Sequence, residues 1–80
     1  MYVATFFSHF GAVKFSRRLK SLNIAHMLKP VPRKVSSSCG TCVEFECDSP
    51  LSLLGDELDA IYANQGEDVY AEIWSASKDA

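Results

Sequence analysis

Two cysteines and four small polar residues crowd one segment of this chain, Ser36-Ser37-Ser38-Cys39-Gly40-Thr41-Cys42. A thiolate is a nucleophile, and its acidity is set by the donors and charges around it. Serine hydroxyls and successive loop N–H groups stabilise a thiolate or a bound anion. Gly40 lets the backbone approach a ligand closely. Arg33 and Lys34 precede the serines and would make Cys39 more acidic if they lie near it in space. The chemistry these residues suit is nucleophilic sulfur chemistry at Cys39. The competing reading is an ordinary polar loop that happens to hold a cysteine, and sequence alone leaves the two open.

Cys39-Gly40-Thr41-Cys42 is also a C-x-x-C. In thioredoxin-like enzymes that motif opens a helix whose dipole favours the thiolate. Here Cys42 enters a segment with strand alternation, so that device is missing, although a disulfide between the two remains open. A structural zinc site usually needs four ligands, often from two such pairs. Only one pair exists, and Cys47, His9 and His26 stand at unrelated positions. No metal and no organic cofactor is expected. Cys47 reads as a small buried hydrophobe. His26 reads as a hydrogen-bonded core or edge residue, and His9 as structural or solvent-facing. Neither paired carboxylates nor a phosphate-binding glycine loop nor a Ser-His-Asp set is evident.

The elements that must position the loop follow from pattern. Residues 2–7 are β-branched and aromatic, which favours a strand. Ser8 can cap a helix that carries Ala12, Phe15, Leu19 and Leu22 at helical spacing, and Asn23 suits its C-terminal stop. Residues 24–29 suit a short strand ended by Pro30-Val31-Pro32. From Thr41 to Cys47 the residues alternate: Val43 and Phe45 share one face, and Cys42 and Glu44 the other. Ser49-Pro50 suits a helix opening, with Leu51, Leu54, Leu58 and Ile61 as its stripe and Asn64-Gln65-Gly66 as its end. Residues 69–74 alternate as a last strand. The sequence thus predicts an α+β chain of the ferredoxin-like βαββαβ type, a four-stranded antiparallel sheet with two helices on one face. Residues 1–74 would form one domain and 75–80 a frayed tail. On the helix-free face the expected side chains are Cys42, Glu44, Glu46, Tyr70 and Trp74. Because the first strand is apolar on both sides, a homodimer through that face is expected.

Eighty residues at 48% apolar content suffice for one small core. No apolar run is long enough to span a bilayer. The N-terminus lacks a secretory signal pattern, and with three cysteines that cannot all pair, a reducing cytoplasmic setting is expected. Residues 1–43 hold seven Lys and Arg and no acid; residues 44–80 hold all ten acids and one base, Lys78. The plain reading is one basic and one acidic solvated surface. A nucleic-acid role is not favoured, because stacking aromatics are not interleaved with the basic residues.

Three features together resemble the family of selenium/sulfur carrier-like proteins: the start Tyr2-Val3-Ala4-Thr5-Phe6, then Pro30-Val31-Pro32-Arg33, then Ser36-Ser37-Ser38-Cys39-Gly40. The resemblance spans about residues 2–74. It implies a carrier more than a turnover enzyme. Cys39 would hold a persulfide or selenopersulfide, taken from a donor protein such as a cysteine desulfurase and passed to an acceptor. Cys42 departs from the family pattern and could resolve that persulfide as a disulfide. The alternative is a small binding or regulatory module acting through the helix-free face.

Overall fold

The structure is a computed structural model that describes residues 1–35 and 39–77. It is an α+β chain of five strands and one α-helix. Strand β1 (Tyr2–Phe6) leads through Ser8 into α1 (His9–Ser21). The Ser8 hydroxyl accepts the Gly11 N–H at 3.2 Å, filling one of the orphan donors of the first turn. At the other end Asn23 adopts φ 58°. There the Asn23 N–H donates to the Lys20 carbonyl and the Ile24 N–H to that of Leu19. That paired closure is a Schellman motif, and Ile24 packs on the core beneath it.

Strands β2 (His26–Pro30) and β3 (Thr41–Phe45) form the hairpin that carries the cysteine loop. A single 3₁₀ turn, Pro50–Leu53, then leads to β4 (Leu58–Gly66) and β5 (Val69–Ser75). The sheet is antiparallel in the order β2-β3-β1-β4-β5, with β1 at its centre. Helix α1 covers one face. Phe15 lies between Phe6 and Phe45, at ring separations of 5.3 and 5.5 Å. Ala4, Leu19, Val43, Leu58 and Ile61 complete that core. Arg18 donates from Nη1 to the Leu53 carbonyl at 2.9 Å and ties the helix to the 3₁₀ turn.

The structure departs from the expected architecture and from the expected place of one aromatic residue. The second helix does not form, and the sheet has five strands, not four. Pro50–Leu53 closes one 3₁₀ turn, Gly55 to Leu58 makes a hydrogen-bonded turn, and the rest of the expected helix is β4. Gly55 is the break: glycine costs a helix interior about 1 kcal/mol relative to alanine. A side chain there would meet the Glu57 carboxylate at 2.8 Å. The segment from Leu58 instead fills the free edge of β1, which pairs with β3 on its other side. The second correction is Trp74, which packs against the helix-side core rather than the helix-free face. The β4–β5 ladder shifts register between Ile61 and Tyr62, so Trp74 pairs with Ile61 but Glu72 with Tyr62. One extra residue on β5 reverses the side-chain parity that strict alternation assumes.

The centre of the helix-free face is also withdrawn from water. Val3, Thr5, Cys42 and Ala60 project there from the central strands, and all four are buried within one chain. Around them lie the half-buried side chains of Lys29, Glu44, Tyr62 and Tyr70, which the strand register puts on the same face. The second apolar side of β1 is therefore covered without a partner subunit. The last residues, 78–80, lie outside the described residues. Before them β5 runs through Ser75, which is buried and pairs with Ala60.

Candidate functional site

The loop that leaves β2 and enters β3 is closed at its base. Pro30 pairs with Thr41, and the Val31 N–H donates to the Gly40 carbonyl at 3.1 Å. Pro30 and Pro32 flank Val31, and neither proline has an N–H to donate, so the ladder ends there. The Val35 N–H donates to the Pro32 carbonyl at 3.0 Å, making a tight turn with Arg33 and Lys34 exposed at its tip. Val35 is buried and anchors the segment. Ser36, Ser37 and Ser38 lie outside the described residues. Cys39 is partly exposed, and Gly40 is exposed with open space around the position a Cβ would take. Cys39, Gly40 and Arg33 thus share one closed loop.

Antiparallel pairing sets what the loop faces. Thr5 of β1 lies opposite Cys42. The start of β3 therefore lies beside the junction where β1 turns into α1. His9, in the first helical turn, completes the approach: its Nδ1 is 3.2 Å from the Thr41 hydroxyl. Sequence reasoning placed His9 apart from the cysteine segment. The signal that could have found it was topological, since a central first strand antiparallel to the third puts the helix start beside the start of that strand. Val35 was missed for a plainer reason: a lone valine in a polar loop carries no periodicity.

Cys42 has a different environment. It is a free thiol, fully buried, on the helix-free face, and its Sγ lies 3.6 Å from the Pro30 carbonyl oxygen. Burial pushes its thiol from the ordinary 9.0 up to about 11. The Lys29 charge opposes that rise and the Glu44 charge adds to it. These two neighbours pair with each other at 3.1 Å, across β2 and β3. The Glu44 hydrogen bond in turn holds Lys29 above its ordinary value. Cys47 is a free thiol, half-buried against the helix-side core. The Ile24 carbonyl accepts from His26 Nδ1 at 2.8 Å, with His26 on the edge strand β2. Among the described residues no group of three or more His, Cys, Asp or Glu is arranged to hold a metal ion. Nor is any helix among them long and apolar enough to cross a membrane.

The family model described as "Putative Se/S carrier protein-like" matches residues 1–55. The chain belongs to that family. The match takes in β1, α1, β2, the cysteine loop, β3 and the 3₁₀ turn, and stops before the β4–β5 hairpin. It is thus shorter than the span the motifs alone suggested. No curated protein and no solved structure matches the chain.

Proposed function

We propose that this carrier-family protein holds sulfur or selenium on Cys39, as a persulfide or selenopersulfide, between a donor and an acceptor protein. The observation that carries this reading is the contrast between two thiols three residues apart. Cys39 is partly exposed in a closed loop beside the helix start. Cys42 is enclosed and held in its thiol form. In the sulfur case the Cys39 thiolate attacks the terminal sulfur of a donor persulfide. A new S–S bond forms at Cys39, the donor's S–S bond breaks, and its electron pair leaves on the donor thiolate. No external oxidant or reductant takes part. An acceptor thiolate reverses the step. Ser36, Ser37, Ser38 and Gly40 would shape the loop, and Arg33 would supply positive charge. Cys42, short of thiolate at neutral pH, would resolve the persulfide slowly, which suits a carrier that must keep its cargo. A cytoplasmic setting fits this thiol chemistry.

Intact mass after exposure to a persulfide donor tests the reading. Wild type and Cys42→Ser should gain sulfur, and Cys39→Ser should gain none. Loading that survives in Cys39→Ser would show that the wrong residue is named. Equal loss in both variants would point to a dithiol acting as one unit.

A further inference from the structure

Helix α1 presents one face that the fold leaves uncovered. Phe10 is 75% exposed, the most exposed large apolar side chain among the described residues, and Phe7 beside it is 55% exposed. His9, Phe10, Val13, Lys14 and Arg17 line a shallow concavity of about 420 Å³ there. Positions 10, 14 and 17 fall on one side of a helix, so the ring and both cations point the same way. Lys14 and Arg17 make no hydrogen bond or ion pair among the described residues, where the ion pair found is Lys29–Glu44. Glu57 packs instead against Gly11, on a buried helix position. An exposed aromatic centre with an arginine and lysine rim is the composition of a protein-docking patch.

Its place in the molecule matters as much as its composition. His9 belongs both to this concavity and to the contact with Thr41 that sets the helix start beside the cysteine loop. A protein seated on Phe10 would therefore lie on the side of the molecule where the cysteine loop enters β3. The charge it must carry is set by Lys14 and Arg17, both exposed on this face. A cationic rim steers an anionic partner and repels a cationic one.

We propose that the Phe10–Val13–Lys14–Arg17 face of α1 docks the sulfur donor protein, through an acidic surface with an apolar centre. This rests on the carrier reading of Cys39. The test compares two donors, a persulfide-loaded cysteine desulfurase and inorganic polysulfide, which needs no docking surface. Phe10→Ala, and separately Lys14→Glu with Arg17→Glu, should slow loading of Cys39 from the desulfurase by about tenfold or more. Phe10→Ala should leave loading from polysulfide unchanged, and the charge variant and added salt should slow the protein donor more than this small anion. Equal slowing with both donors would overturn the proposal, because the helix would then act on the loop and not on a partner. It is also overturned if neither variant changes the desulfurase rate, or if wild type loads from polysulfide but not from the desulfurase. A single-stranded oligonucleotide that binds wild type and competes with no donor, yet is lost in Lys14→Glu with Arg17→Glu, would assign the face to nucleic acid instead. Failure of wild type to load from polysulfide is a different result: it removes the carrier reading, and the docking proposal with it.

Discussion

On the helix-covered face of the sheet the buried side chains are large: Phe6, Phe15, Phe45, Leu19 and Ile61. On the opposite face they are small: Val3, Thr5, Cys42 and Ala60. Both sets are removed from water, but by different means. Large rings leave space between strands and helix that only a second layer can fill, and α1 is that layer. On the other face the half-buried side chains of Lys29, Glu44, Tyr62 and Tyr70 lie around the small ones. The comparison teaches why the two cysteines of one C-x-x-C differ. Cys42 is sealed among the small residues of the central strands, while Cys39 lies outside the sheet and partly exposed in the loop.

The sharpest way to break this comparison is at the large-residue face. Phe45→Ala removes a ring that touches Phe15 and Tyr2 and should destabilise the protein by about 3–5 kcal/mol. Chemical denaturation measures it, and a loss near zero would mean that α1 does not seal this face. The opposite face should respond to enlargement. Ala60→Leu places a branched side chain where Ala60 is already buried beside Thr5, at a cost of about 1–3 kcal/mol. A neutral or stabilising result would show that face to be open. The smallest effect concerns pH. The Cys42 thiol is raised from 9.0 to about 11, so the folded state binds its proton more tightly than the unfolded state does. That contribution is full below pH 9 and is lost as pH rises toward 11. Stability should fall more steeply over this window in wild type than in Cys42→Ala, read from urea midpoints. Parallel slopes would mean that the thiol is not enclosed.

The first half of the chain was legible because its signals were local. Ser8 marked the helix start, Asn23 its stop, and the alternation through Val43 and Phe45 assigned both faces of β3 correctly. The stretch 49–66 was misread because two patterns coincide in it. Leu51, Leu54, Leu58 and Ile61 have helical spacing, and Leu58 to Tyr62 is also a good strand. What decides is nonlocal: the free edge of β1 needs a partner, and no residue in the stretch announces that. Trp74 was misplaced by a single bulge, which alternation cannot detect. At the site, the loop and its thiol were legible from Pro30, Pro32 and Gly40. The neighbourhood of His9 was not, because it depends on strand register.

The outer strands of the sheet carry a consequence of their own. β2 and β5 each leave one row of peptide groups unpaired within the sheet, and such rows can template aggregation. β5 also exposes Val69 and Ile73, an apolar pair that would favour growth onto a second copy. The bulges beside Tyr62 and Gly66 interrupt that edge. Glu67, Asp68 and Glu72 add negative charge along it, and β2 ends in Lys29 and Pro30. A fibril built by stacking β5 on β5 would have to align these carboxylates in register, every 4.7–4.8 Å, like charge over like charge. The irregularity that turned Trp74 inward thus also breaks the regular edge that such growth needs.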